Sequence, residues 1–135
     1  MKIRKFQESD RISLIELWTV VFPSDPLHNK PSTVVSAKLA VDDLIFVAEQ
    51  GGQLIGACMA GYDGHRGWLY SVAVLKEHRR SGSGAALVKY AIQTLKTIGC
   101  IKVNLQIRST NVEVAAFYQA LGFSVEDRLS MGRFI

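Results

Sequence analysis

With two cysteines, three prolines and no long apolar run, this chain of 135 residues excludes several classes of protein at once. No stretch approaches the roughly 20 apolar residues that cross a bilayer, so no membrane partner is expected. Residues 1–10, MKIRKFQESD, hold no apolar h-region, which argues against a secretory signal and for a soluble, cytoplasmic protein. Cys58 and Cys100 sit in apolar surroundings and share no metal-type spacing; both are expected to be reduced and buried, with no metal bound. The formal charge of +4 is modest. Lys and Arg are scattered rather than striped, so nucleic acid is not an expected partner. Only Arg79-Arg80 stands out. There is no linker, repeat or low-complexity segment, and 48% hydrophobic residues suffice for a single domain over 1–135 with its own core.

What is present reads as alternating helices and strands. Residues 2–6 form a first strand. Ser9 or Asp10 can cap a helix with Ile12, Ile15, Leu17, Trp18 and Val21 on one broad face, which residues 22–26 (FPSDP) end. Ser32 can cap a short second helix to about Leu39. Residues 44–49 and 54–62 make a hairpin, and 68–74 a third member after the 63–67 turn. From Ala85, Leu87, Val88, Ala91, Ile92, Leu95 and Ile98 recur with a period near 3.6, and Gly99 closes the helix. Val103, Leu105 and Ile107 alternate as a further strand. Asn111 opens a last helix that Gly122 stops, and 125–134 supplies one or two final strands. The order β-α-α-β-β-β-α-β-α-β predicts an α/β (α+β) domain with a mixed sheet.

The chain is organised around residues 72–87, VAVLKEHRRSGSGAAL. A strand ends at Val74, a polar loop follows, and Arg79-x-x-Gly82-x-Gly84 runs into an amphipathic helix. Glycines at such a turn allow close backbone approach, and a helix start offers unpaired N–H groups, so the turn is expected to hold a pyrophosphate. The plainer reading is simple turn punctuation. A P-loop would need a Gly-Lys pair, which the sequence lacks. A dinucleotide fingerprint would need glycine where Leu87 stands, after a sequential βαβ unit that is missing.

Arg79-Arg80-Ser81-Gly82-Ser83-Gly84 instead matches the R/Q-x-x-G-x-G/A turn of the GNAT N-acetyltransferases. Residues 111–123, NVEVAAFYQALGF, resemble that family's N-x-x-A-x-x-F-Y-x-x-x-G-F segment. The resemblance covers almost the whole chain in element order. The 61–67 turn, GYDGHRG, also resembles that of small bacterial YpeA-type members.

The resemblance implies a GNAT fold, with a mixed sheet of about six to seven strands and about four helices. It implies acetyl-CoA as co-substrate, an amine acceptor (small molecule or peptide amino group), and direct transfer in a ternary complex. N–H groups of Arg80, Ser81, Gly82, Ser83, Gly84 and Ala85 would face the CoA pyrophosphate, with Arg79 or Arg80 adding charge. The backbone of Val72, Ala73 and Val74 would take up pantetheine by strand addition, with an N–H near Val74 polarising the thioester carbonyl. Tyr118 holds the family's general-acid position, and Asn111 would hold the pantetheine arm or cap its helix. Packing in the core is the plainer reading for Tyr118, Val72 and Val74.

The general base stays open among Glu49, Asp63, His65, Tyr70 and water. Histone-type relatives carry a Glu where this chain has Trp68, and ribosomal-protein N-terminal acetyltransferases carry one where it has Gln106. A lysine amine is neutral in roughly 1 in 2,500 molecules at pH 7, an α-amine in roughly 1 in 10, so these departures argue against a protein-lysine or N-terminal acceptor. Trp18, Phe22, Asp25 and Tyr62 are candidates for the acceptor wall. His28 and His78 show no chemistry. A CoA-binding sensor or interaction domain without turnover is the rival reading. Homodimers are common in the family, and no surface stripe argues for one here.

Overall fold

A computed structural model describes residues 1–23 and 26–135; Ser24 in the helix-ending segment and Asp25 in the expected acceptor wall lie outside the described residues. The chain divides into two compact units, Met1–Leu105 and Gln106–Ile135.

The first unit carries strand β1 (Lys2–Lys5), helices α1 (Arg11–Val21) and α2 (Pro31–Leu39), strands β2 (Ile45–Gln50), β3 (Gln53–Tyr62) and β4 (Gly67–Val74), helix α3 (Ser83–Thr97) and strand β5 (Val103–Asn104). The strands lie side by side in chain order, antiparallel except for the parallel β4–β5 pair. Residues of β2 alternate between two buried faces. Ile45 and Val47 pack with Ala57 and Ala73 under Leu14, Leu17 and Trp18 of α1 and Val35 of α2. On the other face Phe46 meets Tyr90 of α3 edge-on at 5.3 Å, and Leu87, Val88, Ala91 and Leu95 are buried. An added Cβ on Gly67 would stand 2.6 Å from Cys100 Sγ, so only glycine lets α3's exit pack this close to β4.

Helix faces follow sequence spacing with local exceptions. Ile12, expected in the α1 stripe, is 73% exposed, because the buried stripe runs through Leu14, Leu17 and Trp18. Ile98 is likewise exposed, since the helix ends at Thr97. There Gly99 at φ +101° lets Cys100 N–H reach Leu95 O at 3.0 Å, a Schellman closure.

Asp10 does not cap α1 with its side chain. It accepts both arms of the Arg4 guanidinium, at 2.7 and 2.9 Å, and the Gln7 N–H at 2.7 Å, while Arg4 Nε reaches Glu49 at 3.1 Å. The Arg4 hydrogen bond holds the Asp10 carboxyl below its ordinary value against the opposing effect of burial, with the Gln7 N–H assisting. A depressed carboxylate contributes stability above its unfolded value near 4 and loses it as pH falls through the folded value. Asp10→Asn is therefore expected to lower unfolding free energy by about 1–1.5 kcal/mol at pH 7. The gap should close on acidification towards pH 3 in urea melts; a gap constant with pH would refute the charge-based account.

In the second unit, helix α4 (Val112–Ala120) is capped by Asn111 Oδ1, which accepts the Val114 N–H at 3.3 Å. Phe123 N–H closes its end on Tyr118 O at 3.1 Å. The Gln106 amide donates to the Ser130 hydroxyl. The sheet has five strands among the described residues, not the six to seven expected. The strand read over 103–107 pairs only at Val103 and Asn104, and residues 125–134 form none. Alternation says which face of a strand would be buried; it does not supply the ladder partner that makes one.

Candidate active site

The site is built from the end of β4, the loop after it and the start of α3. Ala73 lies opposite Ala57 and Tyr70 opposite Met59, so Cys58 alone faces both Ser71 and Val72. This is a β-bulge, and Ser71 sits in it at φ +51°, a left-handed conformation costing a non-glycine residue roughly 1–2 kcal/mol. Its carbonyl accepts the indole N–H of Trp18 at 2.9 Å. Across the bulge, Tyr70 shares the α1 face with Met59 and Ala73, because directly opposed residues lie on one face.

β5 covers the outer edge of β4 only at Gly67 and Trp68, opposite Val103 and Asn104. Beyond Trp68 that edge has no strand beside it among the described residues. Leu75 N–H donates inward to Ile55 O at 2.8 Å. Alternation then turns the backbone of Ala73 inward, towards Ala57, and the N–H of Val74 outward. Val74 O, also outward, accepts Arg79 Nε at 3.1 Å.

The loop then makes two left-handed turns, at Arg80 (φ +63°) and Gly82 (φ +86°). The first bond onto the new helix is Ala86 N–H to Gly82 O at 3.0 Å. No acceptor among the described residues takes the N–H groups of Arg80, Ser81, Gly82, Ser83, Gly84 or Ala85. A Cβ on Gly82 would find nothing within 4 Å, so the space before it is open. The serines brace this row. Ser81 Oγ donates to His78 O and lies 2.7 Å from Ser83 Oγ, and Ser83 is only 2% exposed. Six N–H groups in a turn with left-handed residues, at the positive end of a 15-residue helix, are an arrangement that can hold an anion. Arg80 is exposed beside it.

The base candidates are already engaged or mismatched. Glu49 is paired with Arg4 at 3.1 Å. Asp63 Oδ1 accepts the N–H groups of His65 and Arg66 at 2.8 and 2.7 Å, which hold its carboxyl below the ordinary range. Tyr70 is 45% exposed; burial, then the charge of Asp63, pushes its phenol up, against phenolate. His65 is exposed, with Arg66 Nη1 3.5 Å from its Nδ1. Two acceptor-wall candidates also need correcting. Trp18 is 2% exposed and lies in the core, and Tyr62 Oη donates to Gly99 O at 3.2 Å at the end of α3. Phe22 packs against the same core as Trp18.

In the second unit Tyr118 is buried, its ring edge-on to Phe117 at 4.9 Å and to Phe123 at 5.5 Å. Burial pushes the Cys58 thiol up to about 12, and Cys100 Sγ donates to Lys102 O at 3.2 Å, so both thiols are structural. Sequence reasoning missed the Trp18–Ser71 link. Its only signal was a lone Trp on a buried helix face, since a serine in a left-handed bulge carries no mark of its own.

The Acetyltransferase (GNAT) family matches residues 11–123. Acetyltransferase YE1169 of Yersinia enterocolitica is 36% identical over 134 residues, covering 98% of this chain and 94% of that one. A putative acetyltransferase from Agrobacterium tumefaciens, solved as a structure, is 28% identical with a TM-score of 0.81, covering 99% of this chain and 100% of that one. The aminoglycoside 6'-N-acetyltransferase AAC(6')-IG of Acinetobacter haemolyticus, at 24% identity, shares the fold with a TM-score of 0.81, covering 100% of this chain and 99% of that one. The chain belongs to the GNAT acetyltransferase family and has the GNAT fold. It is an acetyltransferase, and no helix among its described residues is long and apolar enough to cross a membrane.

Proposed function

We propose that residues 1–135 act as one N-acetyltransferase domain that moves an acetyl group from acetyl-CoA to a primary amine by direct attack. The observation that carries this reading is the row of six N–H donors at 80–85 that meet no acceptor among the described residues, beside an open strand edge. Those donors bind the pyrophosphate, Arg80 adds charge, and Arg79 fixes the loop through Val74 O. The backbone of residues 72–74 bonds the pantetheine amides as a neighbouring strand would, and one N–H at Val74 or beside it polarises the thioester carbonyl instead. Ala73, turned inward, serves as core. Acetyl-CoA supplies a thioester whose leaving thiol has an ordinary pKa near 8.5; a tyrosine phenol ordinarily near 10 keeps its proton at neutral pH, and the hydroxyl of Tyr118 donates to the departing sulfur. Asn111 caps α4 and so fixes the start of the helix that bears Tyr118.

The acceptor's proton leaves through water, because Glu49 is engaged by Arg4 and the Asp63 carboxylate by the N–H groups of Arg66 and His65. Water is a weak base, which favours amines that are partly neutral at working pH over lysine side chains. A small amine is the acceptor class this fits best.

Thiol release measured across polyamines, amino acids, aminoglycosides and peptides tests the reading. Acetyl-CoA at about 100 times its Kd is expected to stabilise the protein by about 2.7 kcal/mol, a rise in Tm of several degrees. No rise at millimolar acetyl-CoA would refute donor binding. A rise without thiol release from any acceptor would favour a CoA-binding sensor.

A further inference from the structure

The bulge decides which backbone groups face the open edge. With regular pairing onward from Tyr70, Ser71 would lie opposite Cys58 and Val72 opposite Ala57. The backbone of Val72 and Val74 would then point into the β3 ladder and that of Ala73 outward. The observed register, Ala73 opposite Ala57 and Val74 opposite Gly56, reverses this for Ala73 and Val74. The reversal depends on Ser71 staying at φ +51°, which its side chain does not favour. An outside group must therefore select it, and the indole N–H of Trp18 bonds the Ser71 carbonyl at 2.9 Å. That indole is itself immobilised, 2% exposed among Leu14, Leu17 and Ala73.

We infer that Trp18 is a positioning residue for acetyl-CoA: its indole N–H holds the Ser71 bulge that turns the Val74 N–H to the open edge. This rests on the donor-site reading above. Helix α1 thus sets the donor strand, although it contributes no atom to the open edge.

Trp18→Phe keeps an aromatic ring and removes the N–H. In the full chain it is expected to weaken CoA binding about 3- to 10-fold by calorimetry, the range of one lost hydrogen bond. The KM for acetyl-CoA should rise by the same factor while that for the acceptor is unchanged, and the Val72 and Val74 amide resonances should shift. Leu17→Ala, which opens the same core without touching Ser71, is expected to lower Tm more yet leave the CoA Kd within about twofold. Should Trp18→Phe not fold, benzothienylalanine at position 18 replaces only the N–H by sulfur and is expected to give the same loss. Unchanged CoA binding in the Trp18 variants, or equal weakening in Leu17→Ala, would overturn the inference. Failure of the wild-type chain to bind CoA would instead overturn the donor-site reading itself.

Discussion

Tyr118→Phe is expected to lower kcat by about 10²- to 10⁴-fold while leaving CoA affinity within about twofold. Phenylalanine keeps the ring that packs edge-on to Phe117 at 4.9 Å and Phe123 at 5.5 Å, so the hydroxyl is the main loss. A phenol near pKa 10 remains protonated at neutral pH and is only slightly weaker as an acid than the departing thiol near 8.5. That ordering suits a group that must hold its proton until the thiolate forms. Thiol release at saturating acetyl-CoA and acceptor measures it. A variant that releases CoA at the wild-type rate would remove Tyr118 from the mechanism.

Gly82→Val is expected to weaken CoA binding by roughly thirtyfold or more while the apo protein still folds. A β-branched residue at φ +86° is a true outlier, and escaping it is worth about 2 kcal/mol, which is roughly thirtyfold in an equilibrium. The new side chain begins in open space, with no atom within 4 Å of its Cβ, so the core is undisturbed. What changes is the direction of the N–H groups on either side. Calorimetry with CoA and with acetyl-pantetheine separates the two ends of the donor. Affinity for the nucleotide-bearing ligand should fall while affinity for the short one holds. Equal affinity of wild type and variant for CoA would mean that the pyrophosphate lies elsewhere.

Much of the fold was legible because its signals are local. The hairpin glycines, the 3.6-residue period from Leu87 to Leu95 and the closing Gly99 each act within one turn or pair, and the elements fall within a residue or two of where those signals put them. The glycine turn was legible for the same reason. What escaped needed distant partners. Residues 105–107 carry strand-like alternation, and 125–134 were expected to add one or two strands, but neither joins a ladder; Glu49 stood open as a base candidate, whereas Arg4, 45 positions away, holds it. The Ser71 bulge escaped most completely, since it is fixed from α1, 53 positions earlier. A one-residue slip there exchanges the whole set of outward backbone groups, so the chemistry hangs on a contact that no local pattern encodes.

Arg79 is drawn by its guanidinium back onto Val74 O at 3.1 Å, across the five-residue step from strand to loop. This contact makes a strut. It ties Val74, the last residue of the open strand edge, to Arg79, the residue just before the row of N–H groups at 80–85, and so limits how far the two can drift apart. A long donor that engages both therefore meets a frame of fixed span, and the loss of freedom on binding is incurred once for the whole ligand. Fragments that reach only one end would bind poorly in proportion to more than the contacts they lack.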